Sequence, residues 1–192
     1  MLEGWDPSRG SGPICFDEDS RRRGWKMIPY MDLNEQVDSD FTRARRRALL
    51  RRVLACLRKK PASNELLCFD DQRRVLQANN RRYLGRRVVE TQKIVGSVGR
   101  CPEFDRSFLP LRASAAQRWK RIDRAFHRSE DFPPVELYKM GNAYFIADGH
   151  HRVSVACYHG VPTVEAEVTE FRPKLPVAAV PEAEREVVTC RS

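Results

Sequence analysis

The chain has 192 residues, of which 41% are hydrophobic and 32% are charged, and a formal net charge of +9. That length suits one domain with extensions. No apolar run is long enough to cross a bilayer and MLEGWDPSRG has no apolar signal core, so a membrane-spanning or secreted protein is not expected and a cytoplasmic one is.

Residues 1–40 are polar, rich in Gly, Pro and Asp, and carry the cluster Arg21-Arg22-Arg23, so they are expected to be a loosely ordered extension. Residues 41–60, FTRARRRALLRRVLACLRKK, hold nine Arg and Lys and no acid, which equals the whole net charge of +9. Phe41, Ala44, Ala48, Val53, Leu54 and Leu57, with Leu49 and Leu50, recur at roughly helical spacing. The segment therefore reads as a basic amphipathic helix. Arg43, Arg45, Arg46, Arg47, Arg51 and Arg52 are its candidate nucleic-acid contacts, acting by phosphate neutralisation. An acidic protein surface and anionic lipid are the other partners such a helix suits. The plainer alternative is a solvated helix whose apolar stripe packs on the domain. No aromatic residue beyond Phe41 is interleaved with the arginines, which argues against a reader of stacked single-stranded bases.

Pro61-Ala62-Ser63-Asn64 marks a break, and a second helix is expected over residues 65–79, with the basic helical segment as a whole running over 41–82. A first strand is expected over 88–95, a loop over 97–110 and a helix over 114–127 with Trp119, Ile122 and Phe126 on one face. Residues 135–140 and 143–147 flank the turn pair Gly141-Asn142 and read as a hairpin. Tyr144-Phe145-Ile146 then leads through Asp148-Gly149 into a short helix that Gly160 ends. A last strand over 161–171 alternates Val164, Ala166 and Val168 with Glu165, Glu167 and Thr169. The tail, 172–192, carries Pro173, Pro176 and Pro181 and reads as an extension. The pattern is α+β: a small mixed β-sheet with helices, preceded by two N-terminal helices.

The junction at 148–152 is the chemical focus. It places Gly149, His150, His151 and Arg152 at a helix N-terminus, where free N–H groups and the positive dipole end favour an anion. Two imidazoles and a guanidinium add donors that suit phosphate. In the loop, Ser97, Arg100, Glu103, Asp105 and Arg106 stand ready to complete a site. Arg100 and Arg106 would clamp phosphate, and Glu103 or Asp105 would serve as general base or hold Mg²⁺ between phosphate oxygens. The alternative for Arg100, Asp105 and Arg106 is surface ion pairing. Asp148 is a candidate N-cap as much as a catalytic group. Neighbouring histidines on a helix point to different sides, so a shared metal on His150 and His151 is disfavoured. His127 and His159 read as ordinary surface residues. The six cysteines are scattered without Cys-x-x-Cys or Cys/His pairing, which speaks against zinc or a disulfide framework and fits a reducing compartment.

DGHHRVSVA resembles the phosphate-binding box of the ParB/sulfiredoxin-like superfamily. Gly149-His150-His151-Arg152 is similar to the Gly-Cys-His-Arg of sulfiredoxins, and Asp-Gly-His-His-Arg is the version carried by ParB-like serine kinases. VETQKIVGSVGR, residues 89–100, resembles the ParB segment in which a strand and a Lys-Ile pair lead into a loop ending in Arg. The resemblance spans residues 87–171, within a domain read as 86–171. It implies a ParB/sulfiredoxin-like fold and a bound nucleoside triphosphate, ATP or CTP, with Mg²⁺. It implies DNA as a further partner and allows a homodimer. The kinases' carboxylate near this loop implies that role for Glu103 or Asp105, and an ATPase, small-molecule kinase or nuclease is the enzymatic version. The catalytic Cys of sulfiredoxin aligns with His150, and Cys157 is two helical turns away, so sulfinic-acid reduction is not expected. Only residues 172–192 follow the module, so the helix-turn-helix and dimerisation domains of a full ParB are not expected.

Overall fold

The computed structural model describes residues 32–58 and 65–173. The proposed flexibility of 1–31, the break at 61–64 and most of the tail after Arg172 lie outside the described residues. The elements in order are α1 (Leu33–Leu57), β1 (Leu67–Cys68), α2 (Phe69–Val75), β2 (Asn80–Glu90), β3 (Ile94–Ser97), α3 (Ala116–His127), β4 (Val135–Met140), β5 (Ala143–Asp148), α4 (His150–Tyr158) and β6 (Thr163–Arg172). Six strands form one mixed sheet in the order β1-β3-β5-β4-β6-β2, and with four helices the fold is α+β.

The period-two alternation of the strands splits the core across the sheet. On β4 and β5, Leu137 and Ile146 face one side, with Val153 of α4, while Met140, Ala143 and Phe145 face the other, with Phe69 of α2. β3 and β5 run parallel, as do β4 and β6, whereas β4 and β5 form the antiparallel hairpin expected around Gly141-Asn142. A third cluster joins the helices: Phe41, Ala44 and Ala48 of α1 pack with Trp119 of α3 and Val155 of α4. Trp119 anchors this layer. It is fully buried, its Nε1–H donates to Ser154 Oγ at 2.9 Å, and its ring lies 5.6 Å from Phe41 and 5.5 Å from Tyr158.

Several expectations are corrected. α1 begins at Leu33, so residues 33–40 belong to the helix and not to a loose extension. Its apolar stripe is only half used: Phe41, Ala44, Ala48 and Ala55 are buried, while Leu49, Leu50, Val53, Leu54 and Leu57 are exposed. The second helix is shorter than 65–79, because Leu67-Cys68 pairs in parallel with β3 before α2 starts. The expected strand 88–95 is two strands, β2 and β3, separated by a turn of 3₁₀ helix at Thr91–Lys93. β2 begins as early as Asn80 and sits at the sheet edge, paired antiparallel with β6. Its Arg81, Arg82, Arg86 and Arg87 are exposed, and charge on an edge strand blunts edge-to-edge association. Cys68 and Cys101, read as unrelated, are joined as a disulfide with Cα atoms 5.7 Å apart, tying the end of β1 to the loop after β3.

Candidate functional site

The box helix α4 starts where the sequence places it, and Gly149 explains why. Its φ is +92° and a Cβ there would sit 2.6 Å from Val135 Cγ1, so only glycine permits this strand-to-helix corner against β4. The corner points the first turn of α4 into a cleft of about 700 Å³. Arg100, Gln117, Arg118, Arg121, Ile122, Arg124, Asp148, Gly149, His150, His151 and Arg152 line it. Five of these are arginines, drawn from the β3 loop, α3 and α4, against the one carboxylate of Asp148. A concave wall with that balance concentrates anions.

Three of the five arginines were not singled out from the sequence. Arg118, Arg121 and Arg124 recur every third residue on α3, which puts them along one flank of the helix while Trp119 and Asp123 are buried. The signal was present in AQRWKRIDRAFH, but reading only the apolar face passed over it. Trp119, held on Ser154 of α4, fixes α3 against α4 and so brings that flank to the box.

The box residues take distinct parts. His150 is buried, and its Nε2 lies 2.7 Å from Ser97 Oγ. Burial, reinforced by the Arg100 guanidinium, pushes the imidazole down to about 4, so it is neutral near pH 7, and the Ser97 hydroxyl bonds its Nε2. Ser97 itself is fully buried and acts by holding His150. His151 is shifted down as well, by burial and then by Arg100 and Arg118, and its Nδ1 has no hydrogen-bond partner. An anion in the cleft would add to the opposing charge that Asp148 exerts on His150 and Glu103 on His151. Phe104 packs both histidines, its ring 6.2 Å from His150 and 5.6 Å from His151, which seats the β3 loop against the box.

Arg152 and Asp148 pair with each other. Arg152 Nη2 lies 2.9 Å from Asp148 Oδ2, and Nη1 donates to the carbonyls of Pro133 and Pro134. Asp148 makes no N-capping bond; α4 has no side-chain cap. Arg152 therefore lines the cleft but spends its donors on the segment entering β4.

The loop carboxylates divide. Glu103 is not part of the cleft wall, but its Oε2 is 3.9 Å from Nη1 of the cleft residue Arg100. Asp105 is fully buried and does not line the cleft. Its Oδ1 accepts the N–H groups of Ser107 at 2.9 Å and Leu109 at 2.8 Å, closing the turn, and Oδ2 faces Arg51 Nη1 at 3.7 Å. Burial raises its carboxyl above the ordinary range, opposed by the Leu109 N–H and the Arg51 charge. Arg106 likewise is absent from the cleft wall.

None of the six α1 arginines lines the cleft. Arg45 Nε reaches the Leu111 carbonyl at 3.4 Å, Arg47 lies over the Tyr158 ring at 5.4 Å and Arg51 faces Asp105. Arg43, Arg46 and Arg52 are exposed. Cys157, on the far turns of α4, has its thiol pushed up to about 12 by burial, so it is no nucleophile. Among the described residues no helix is long and apolar enough to cross a membrane.

Comparison of the chain with protein-family models, with curated proteins and with solved structures finds no match.

Proposed function

We propose that this chain is a ParB/sulfiredoxin-like protein that binds the phosphates of a nucleotide at the N-terminus of α4, and that the exposed arginines of α1 give it a separate contact with DNA. The observation that carries the reading is the convergence of Arg100, Arg118, Arg121 and Arg124 on the N-terminus of α4, while Arg152 pairs with the single carboxylate of the wall, Asp148. Guanidinium forks match phosphate oxygens two at a time, and the helix end adds backbone donors of the same polarity. A nucleoside triphosphate, ATP or CTP, fits the charge of this wall better than any neutral ligand. The lining offers no cage of oxygen ligands, since Asp148 is already paired with Arg152, so Mg²⁺ would arrive on the phosphates and be held mainly by them. Neutral His150 and His151 are donors or acceptors here, not fixed charges, and His151 gains a proton most readily when an anion is bound.

A second reading, a nucleotide-dependent enzyme of the same fold, rests on Glu103. It is the candidate carboxylate beside a cleft arginine, and it acts favourably on His151, whereas Asp105 is committed to its own turn. In that reading Glu103 takes the proton of an attacking hydroxyl or water.

Calorimetric titration of the full chain with ATP, ADP and CTP, each with Mg²⁺, and separately with a short DNA duplex, tests the proposal. Saturable binding of a nucleotide at about one per chain is expected. Failure of every nucleotide to bind would contradict it. Release of inorganic phosphate that disappears in Glu103→Gln would move the account to the enzyme.

A further inference from the structure

Behind the cleft, α1, α3 and the end of α4 meet around four polar groups that the phosphate site does not use. Asp40 comes from α1, Asp123 and His127 from α3, and His159 follows α4 directly. One donor atom from each lies within 4.8 Å of the other three. His159 Nε2 is 2.7 Å from Asp123 Oδ1, His127 Nε2 is 3.2 Å from Asp40 Oδ2, and the same nitrogen is 3.8 Å from Asp123 Oδ2. Asp123 is fully buried, yet its Oδ2 has no hydrogen-bond partner although it faces this cluster. A buried, unpartnered carboxylate oxygen is costly unless something binds it.

We propose that these four residues form a binding site for a divalent first-row transition metal, with zinc the best fit. Two imidazole nitrogens and two carboxylate oxygens are borderline donors, which suit zinc and its neighbours better than calcium or magnesium. Zinc bonds of about 2.0–2.1 Å in a tetrahedron require ligand atoms about 3.3 Å apart; one donor atom from each residue lies within 4.8 Å of the others, so a small inward shift of the side chains completes the shell. Asp123 and His127 are four apart on one face of α3, the spacing that aims two ligands at one ion. As metal ligands, two carboxylates and two imidazoles would present two negative charges, which a divalent cation cancels.

Outer contacts orient the ligands as metal sites require. The Tyr158 hydroxyl donates to Asp40 Oδ1 at 2.8 Å, leaving Oδ2 for the centre. Phe126 stacks on the His159 ring at 4.3 Å and holds its plane. His127 lines a second cavity, with Ile122 and Phe126 beside it, which gives an ion a route from solvent. The ion would clamp α1 to α3 and α4, and so fix both the basic helix and the arginine flank of α3. The donor set is closed, so the role is structural.

The test uses the full chain without a polyhistidine tag, stripped with chelator and then exposed to limiting zinc and dialysed. About one zinc per chain, with a rise in Tm on adding it, is expected for the wild type. His127→Gln/His159→Gln should retain no zinc and show no such rise, while Cys56→Ser, at an exposed thiol outside the cluster, should retain zinc as the wild type does. No zinc on the wild type, or equal zinc on the double variant, overturns the proposal. Should the double variant fail to fold, cobalt on the wild type reads the geometry directly. Intense visible bands of four-coordinate cobalt support the site, and only the weak bands of six-coordinate cobalt overturn it.

Discussion

Arg152 of the box helix and Asp148 at the end of β5 form an ion pair across the Gly149 corner, Nη2 to Oδ2 at 2.9 Å, with the guanidinium also bound to the carbonyls of Pro133 and Pro134. The arginine that the sequence makes the centre of the cradle is thus also a brace between α4 and the entry to β4. Arg152→Ala is expected to lower stability by about 1.5–3 kcal/mol, the range for lost hydrogen bonds to a charged group, because its side chain is only 16% exposed. Arg118→Ala and Arg121→Ala should each leave the urea midpoint nearly unchanged. Chemical denaturation of the three variants separates brace from ligand-binding wall.

Gly149 sets where the wall stands. Gly149→Ala must adopt φ near +92° and place a methyl group 2.6 Å from Val135 Cγ1. Left-handed backbone costs about 1–2 kcal/mol and overpacking about 1–3, so a loss of about 2–5 kcal/mol is expected in thermal or chemical unfolding. A loss below about 1 kcal/mol would mean that the corner is not as tight as described.

His150 makes stability depend on pH. Its imidazole is near 4 in the folded chain and ordinarily near 6.5, so the unfolded chain binds the extra proton between those values. The contribution is fully present above pH 6.5 and is lost as pH falls toward 4, reaching as much as about 3 kcal/mol. Denaturation midpoints measured from pH 7.5 to 4 should fall in the wild type, and the slope should be shallower in His150→Gln.

Much of this architecture is legible in the sequence because local rules and tertiary demands agree there. The β4 hairpin, the glycine corner and the alternation of Val164, Ala166 and Val168 all sit in short segments whose turns name themselves. β2 was misread because an edge strand carrying Arg81, Arg82, Arg86 and Arg87 has little apolar alternation to detect. It is held by its antiparallel backbone ladder with β6, to which exposed cross-strand pairs such as Arg86 with Glu165 and Tyr83 with Glu167 add. α1 covers the expected basic helix from Phe41 to Leu57 but starts eight residues earlier: Asp38 and Asp40 look like chain outside a helix, yet Lys120 pairs with Asp38 and Tyr158 with Asp40. His127 and His159, read as surface residues, are 19% and 18% exposed and face Asp123. Such groupings depend on which helices pack together, which spacing along one chain does not encode.

The basic helix is separable from the cleft. Arg43, Arg46 and Arg52 are exposed and none lines it. Replacing all three with Glu should weaken duplex DNA binding at least tenfold and reduce its dependence on salt concentration by roughly three phosphate contacts. Nucleotide binding should be unaffected. A matched loss of both would place DNA and nucleotide on one surface.

The most direct measurement is nucleotide affinity of Arg118→Ala/Arg121→Ala against wild type, by calorimetry at fixed salt and pH with Tm recorded for both. The account predicts a loss of at least about a hundredfold, since each charge-assisted contact contributes about 1.5–3 kcal/mol, with Tm unchanged within a few degrees. Undiminished affinity in that double variant would contradict the claim that the arginine flank of α3 and the N-terminus of α4 form one phosphate site.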